Sequence, residues 1–331
     1  MIEFIFTVDY EIYGNGEGSL RELVYESAEK LRAIFQAHEK RFVVFVEVAE
    51  LEMIEATGAD PAIDLVKNQI KDFYNEGFEL GLHLHPQWYK ARSNNGKWLL
   101  DYSEYNLCTL PRERIVQIVD RSIAYLRRIL GIPDFTPLSF RAGNWLFQPT
   151  RTLSSVLAER GIKVDSSVFK GGLQHKHRLD YRPAAKNGYF WKFMDDVNVP
   201  DSKGTLLEVP IYTEMVPPWR MLTKKRIGLQ QKSSKATQDG KQKLNRILDF
   251  FRFQYPLKLD FCRMTIDEIT RIMDTIIRED KEDPTSFRPI VTIGHTKDLG
   301  DYETVETFLD YLKQKSIKVS TLEISYQKCK C

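Results

Sequence analysis

Glu79-Leu80-Gly81-Leu82-His83-Leu84-His85-Pro86 is an apolar run that closes on two histidines one residue apart and then on a proline. In an extended chain, residues i and i+2 project from one face, so both imidazoles point into the same space. Pro86 has no N–H for a ladder, so it ends the strand and places the pair at the C-terminal end. The pattern recurs: Phe4 to Asp9, Phe42 to Glu47, Leu138 to Arg141, Ile162 to Asp165, Leu206 to Pro210 and Ile290 to His295 are also apolar runs, most ending in a polar or charged residue. With Phe78 to His85 they make about seven candidate strands.

Segments of helical period lie between most of these runs, at about 61 to 76, 112 to 130, 151 to 160 and 303 to 315. Gly77 and Gly131 close the first two, and Ser19-Leu20-Arg21-Glu22 and Thr265-Ile266-Asp267-Glu268 have capping-box spacing. Strand followed by helix, repeated, implies a parallel sheet buried on both faces, with chemistry at the C-terminal strand ends. The expected architecture is α/β: a distorted (β/α) barrel of about seven parallel strands, forming one domain over residues 1–331. An open doubly wound sheet concentrates function at one switch point and would not load nearly every strand end.

Apolar residues make up 42% and charged residues 28%, with a net charge of +2. That is the balance of an ordinary globular enzyme, with no charge excess to suggest a nucleic-acid partner. The chain has no run of 18 apolar residues, and Met1 to Asp9 reads directly as a strand, so a cytoplasmic protein is expected. Cys108 and Cys262 stand alone and Cys329 and Cys331 end the chain, so no disulfide framework is expected. From Met221 to Arg246, eight basic residues face the single acid Asp239. This stretch reads as a basic insertion at about 221–246. It is either a solvated loop and helix face, or a flap over an anionic substrate or the inner-membrane surface. Gly14-Asn15-Gly16-Glu17-Gly18-Ser19 lacks the last glycine of a dinucleotide fingerprint and reads as a flexible loop at the rim of the site.

Asp9 and Glu11 end the first strand with the same i, i+2 spacing as the histidines. Two carboxylates and two imidazoles suit a divalent ion such as zinc, leaving one acid to act as base on a water. Either carboxylate fits either duty. Arg141, in Phe140-Arg141-Ala142-Gly143-Asn144-Trp145, offers a guanidinium to hold a carboxylate. Asp165 and His295 bring a further acid and imidazole to strand ends, and a metal-free imidazole suits a general acid. Asn144 and Asp165 are expected to touch substrate, and Tyr10, Tyr13, Trp88, Trp145 and Trp219 to offer stacking surfaces for sugar rings.

In this order the residues resemble the polysaccharide deacetylase family, carbohydrate esterases with the NodB homology domain. Thr7-Val8-Asp9 is similar to the first motif, Glu79 to His83 to the second, and Arg141 opens the third. Gly161 to Ser167 and Leu207 to Pro210 resemble later segments, and Ile293-Gly294-His295 the last. The resemblance implies a NodB-like deacetylase barrel, a divalent metal (zinc, or nickel, cobalt or manganese), and removal of an N- or O-acetyl group from a sugar or glycan precursor. That precursor would be nucleotide- or lipid-linked, in capsule, lipopolysaccharide or other surface polysaccharide metabolism. Relatives also include cyclic-amide hydrolases of the allantoinase kind and could include non-catalytic carbohydrate binders.

Two departures stand out. The family's histidines are four apart, but Gln87 is the fourth residue after His83; Tyr10 replaces the second of the paired aspartates. Deacetylases of a lipid-linked aminoarabinose precursor carry acids spaced by one residue. By that analogy Asp9 is the base, Glu11, His83 and His85 hold the metal (with Asp9 as the alternative carboxylate), Arg141 positions Asp9, and His295 is the acid.

Overall fold

The computed structural model describes every residue except 95, 96, 186, 224, 226, 228–253, 330 and 331. Most of the basic stretch expected as an insertion therefore lies outside the described residues, as does Cys331. The principal sheet contains β1 (Ile2–Tyr10), β2 (Val43–Glu47), β3 (Glu79–Leu84), β4 (Ser139–Ala142), β5 (Val164–Asp165), β6 (Trp191–Phe193), β7 (Leu206–Glu208), β8 (Arg288–His295) and β9 (Lys318–Ser320). Its order is β6-β7-β5-β4-β3-β2-β1-β8, with β9 also paired to β1.

Each of the expected runs contributes a strand. Two further strands raise the count to nine: β6, antiparallel to β7, and β9, parallel to β1. Every other pairing is parallel. The sheet curls until Ile211, just beyond β7, bridges Val291 of β8, and Tyr212 N donates to the Val291 carbonyl at 3.0 Å. The segment through Leu259 and Phe261 adds backbone bonds to Ile293 on the same strand.

Helices α1 (Ser27–Ala37), α2 (Val48–Thr57), α3 (Ile63–Asn75), α4 (Arg112–Leu130), α5 (Arg151–Glu159), α6 (Ile266–Glu282), α7 (Tyr302–Gln314) and α8 (Leu322–Cys329) connect or follow the strands. Residue parity on β1 sorts its two faces. Phe4, Phe6, Val8 and Tyr10 project toward the helices, where Phe6 meets Phe35 of α1 and Phe4 meets Phe308 of α7, each at 5.0 Å between centroids in edge contact. Each buried aromatic of this kind stabilises by about 1.5–3 kcal/mol. Thr7, Asp9 and Glu11 project to the opposite side, into the curl of the sheet.

Gly131 closes α4 and Gly77 follows α3, both with left-handed φ, 73° and 79°. The capping box at Thr265 forms in full, with Thr265 Oγ1 accepting from Glu268 N and the Glu268 carboxylate accepting from Thr265 N. At Ser19 the box does not form. Ser19 Oγ accepts from Arg21 N instead of Glu22 N, and residues 21–26 wind as a wider π-type turn before α1. Among the described residues three hairpins stand outside the sheet: Arg92–Asn94 with Lys97–Leu99, Leu173–Gln174 with Leu179–Asp180, and Thr213–Val216 with Tyr255–Lys258. Among the described residues no helix is long and apolar enough to cross a membrane.

Candidate metal centre

Strand register assembles the site. Asp9 lies opposite His295, Glu47 opposite His83, and His83 opposite Arg141, so adjacent parallel strands end at one level. Glu11, Glu47, His83 and His85 each offer a ligand atom within 4.8 Å of the others, and Asp9, Glu11 and His295 form an overlapping group under the same limit. Glu11 Oε2 is 3.1 Å from His85 Nε2 and 3.5 Å from His83 Nε2. Donors about 2.0–2.1 Å from a tetrahedral zinc stand about 3.3 Å apart, so these separations match a shared ion.

The hydrogen bonds around the imidazoles support the same use. His83 Nδ1 is 2.9 Å from the Arg141 carbonyl, so it carries the proton, while the buried Nε2 has no hydrogen-bond partner. Burial would lower the His83 pKa, but Asp9 and Glu11 outweigh it and raise it to about 9. The surroundings therefore call for positive charge at this nitrogen, from a proton or a cation.

His85 Nδ1 lies 3.2 Å from Gln87 Nε2 and 3.1 Å from Asn144 Nδ2. Gln87 Oε1 is buried without a partner; exchanging the amide's oxygen and nitrogen lets it accept from His85 Nδ1–H and frees Nε2 to ligate. In that arrangement Gln87 orients the second histidine.

The two carboxylates of β1 have separate surroundings. Glu11 Oε1 takes a 2.5 Å ion pair from Lys297 Nζ, leaving Oε2 to the imidazoles. Burial pushes Glu11 up, but Lys297 and His85 hold it well below the usual carboxylate range. Asp9 Oδ1 accepts from Arg141 Nη1 at 2.7 Å, while Oδ2 faces His295 Nε2 at 3.4 Å and His83 Nε2 at 4.0 Å. Arg141, fully buried, also donates to the Ser166 carbonyl, Ser166 Oγ and Thr7 Oγ1. Burial raises the Asp9 pKa; Arg141 and His83 outweigh it. Burial takes His295 down to about 4 against the pull of Asp9, and Asp298 Oδ2 stands 3.8 Å from its Nδ1.

Several expected substrate contacts lie elsewhere. Tyr10 is on the helix-facing side of β1, fully buried against Phe73 and donating to Gln69 Oε1, so it is core. Trp88 is 1% exposed and packs edge-on against Trp98 at 5.0 Å, so it offers no open ring face. Asp165 is wholly buried. Its oxygens accept from Ser167 N and Oγ, and it shares a hydrogen bond with Glu208; burial raises both acids, and neither is open to a substrate. Asn144 and Trp145 do stand at the site, the second with its ring 6.3 Å from His295. The glycine loop borders a cavity of about 570 Å³ with Trp98, Lys97 and Asp60 on its other sides.

Glu47, Glu50 and Lys297 were not anticipated as site residues. Burial pushes Glu47 up to about 8, and its Oε1 accepts from Glu50 N. Glu50 in turn accepts from Ile12 N, which braces the segment after Glu11. Glu47 ends its run as His85 does, and that ending was its signal. Lys297 lies beyond the last strand with no pattern to mark it.

No family model matches the chain, and no curated protein matches it in sequence. Solved structures do share its fold. A Mycobacterium smegmatis protein named as a candidate polysaccharide deacetylase aligns with a TM-score of 0.54 at 13% identity, over 99% of this chain and 89% of that one. A GH57 branching enzyme from Thermococcus kodakaraensis aligns at 0.53 and 12% identity, over 98% of this chain and 70% of its own. An allantoinase aligns at 0.50 and 13% identity, over 97% and 87%. At these identities the likeness is one of fold.

Proposed function

We propose that the chain is a divalent-metal-dependent hydrolase that removes an acetyl group, N- or O-linked, from a sugar or glycan precursor. The observation that carries this reading is His83 Nε2, buried without a hydrogen-bond partner among the described residues and facing Glu11 Oε2 and His85, with Asp9, Arg141 and His295 alongside.

Glu11, His83 and His85 would hold the ion, zinc first by its preference for imidazole and carboxylate, with Glu47 within reach as a further ligand. When bound, such an ion supplies Lewis-acid polarisation of a carbonyl and neutralises charge that develops on its oxygen. The chain's own groups do the rest. Arg141 fixes Asp9 through Oδ1 and keeps it ionised, so Oδ2 is free to take a proton from the attacking water. His295 Nε2, 3.4 Å from that oxygen, receives the proton and passes it to the departing amine or alkoxide. Asp298, beside Nδ1, favours the imidazolium that forms during the transfer. Amide and ester substrates need the same sequence of transfers.

The test measures bound metal in the purified protein and acetate release from N- and O-acetylated sugars, before and after chelation, for the wild type and His83→Ala. A stoichiometric divalent ion, with activity lost on chelation or in His83→Ala, is expected. A protein that binds no divalent ion and keeps its acetyl-releasing activity in His83→Ala refutes the reading. Turnover of a hydantoin-type ring that survives chelation would instead assign a cyclic-amide hydrolase, and sugar binding without turnover under any metal a carbohydrate-binding protein.

A further inference from the structure

Lys258 ends the hairpin strand Tyr255–Lys258. Its Nζ lies 4.0 Å from the ring centroid of Trp145 and 4.6 Å from that of Phe169. Trp145 is a wall shared with the catalytic groups: its ring is 6.3 Å from the His295 imidazole and 5.8 Å from the guanidinium carbon of Arg141. One indole therefore separates the lysine ammonium from the group expected to protonate the leaving atom.

The ammonium has no hydrogen bond or ion pair among the described residues. The nearby acid of the same segment is committed elsewhere. Asp260 Oδ1 accepts from Cys262 N at 3.0 Å and Arg263 N at 3.2 Å, and Oδ2 pairs with Arg263 at 3.5 Å. Aromatic faces compensate a desolvated cation only in part, by about 2 kcal/mol, and leave all three N–H donors unused. Burial and Arg263 together draw the Lys258 pKa down to about 8, against the pull of the Asp260 and Asp9 carboxylates. The backbone also holds the wall in place against its own preference. Asn144 and Trp145 have consecutive positive φ, 54° and 67°, a region that asparagine tolerates and a bulky tryptophan does not favour.

We propose that Lys258 recognises an anionic substituent, a phosphate or a carboxylate, on the sugar whose acetyl group is presented to Asp9 and His295. This inference rests on the acetyl-hydrolase reading for the identity of the sugar. It assigns the substrate's charge and the residue that reads it. A neutral acetylated sugar would leave the three donors without an acceptor, whereas an anionic one gains a charge-assisted bond in a place already stripped of much of its water.

The experiment uses the protein as purified and three probes: N-acetylglucosamine, N-acetylglucosamine 1-phosphate and N-acetylmuramic acid. Binding is read by calorimetry and acetate release by kinetics, for wild type, Lys258→Met and Lys258→Arg, each first shown to unfold with wild-type cooperativity. The expected result is that wild type binds one of the anionic probes at least about tenfold tighter than the neutral one, as a single charge-assisted bond provides. That ratio should collapse toward one in Lys258→Met, survive in part in Lys258→Arg, and shrink with added salt.

The probe that carries the preference tells phosphate from carboxylate. Equal binding of neutral and anionic probes by wild type, a preference that persists in Lys258→Met, or no binding of any probe overturns the inference. If the preference is present and lost in Lys258→Met, yet no acetate is released, the role of Lys258 stands and the hydrolase reading falls.

Discussion

Replacing Arg141 by Met tests whether the site is held together by charge. The guanidinium is fully buried and makes four hydrogen bonds, to Asp9 Oδ1 at 2.7 Å, the Ser166 carbonyl at 2.9 Å, Thr7 Oγ1 at 2.9 Å and Ser166 Oγ at 3.3 Å. Methionine fills much of the same channel and still packs on Phe45, whose ring centroid lies 4.1 Å from the guanidinium carbon. The loss is therefore electrostatic more than steric. Removing one partner of a buried pair strands the other, at about 3–5 kcal/mol. Against a total stability of about 5–15 kcal/mol this is a large fraction. The assay is urea denaturation at constant slope, with Asp9→Asn and the double variant completing a cycle. The double variant has no stranded charge, so its cost should fall short of the sum of the single costs by more than about 1.5 kcal/mol. A cost below about 1 kcal/mol for Arg141→Met, or an additive cycle, would refute the argument that this pair organises the end of β1.

Further outcomes follow from specific contacts. A Cβ on Gly143 would fall 2.4 Å from the Leu84 carbonyl oxygen and 2.9 Å from the His85 ring, so Gly143→Ala should weaken zinc binding about 10- to 100-fold in a chelator competition. Gly81→Ala meets Phe45 and the Ser139 hydroxyl instead, and should lower the urea midpoint while leaving metal affinity in place. Glu79 is raised from 4.5 to about 7, chiefly by burial, so the folded state holds its proton more tightly than the unfolded chain does. Its contribution is full below the unfolded value and is lost as the pH rises through about 7. The wild type should therefore gain up to about 3 kcal/mol over Glu79→Gln as pH falls from 8 to 5, measured by paired denaturation curves. Thr265→Ala removes a complete capping box and should cost about 1 kcal/mol by the same measurement.

The large features of this chain were legible because they repeat locally. Continuous apolar runs ending in a polar residue marked the strands, and α4 occupies the stretch expected for it, residues 112–130. Strand parity, carried through, separates Asp9 and Glu11 from Tyr10: adjacent positions on one strand face opposite sides, so Tyr10 enters the helix layer. Trp88 and Asp165 were misread for another reason. Whether an aromatic ring or a carboxyl near a strand end is open to a ligand depends on what covers it: Trp98 folds back on Trp88 from the hairpin that follows it, and Glu208 meets Asp165 from the neighbouring strand of the sheet. Glu47 needed the register with His83, and Lys297 needed the approach of a turn 286 residues from Glu11. Lys258 carried no local pattern that marked it as free of a partner. Composition and periodicity describe neighbours in sequence, whereas the charge balance of the site is set across strands.

β1 is bonded along its length to β8, and the turn after β8 supplies Lys297 to Glu11 and Thr296 Oγ1 to the Glu11 backbone. The first strand of the curled sheet thus waits for one of its last. During synthesis, Asp9 and Glu11 each emerge 286 residues before the histidine and the lysine that face them. Until that segment arrives, the unfinished sheet has Asp9 held by Arg141, Glu11 without its lysine, and an open edge along β1. The ordering of ribosomal output therefore makes the charge balance of Glu11 a late event, coupled to the closing of the sheet. A chain stopped before β8 should retain Glu11, Glu47, His83 and His85 as candidate ligands and lack the lysine and the third imidazole.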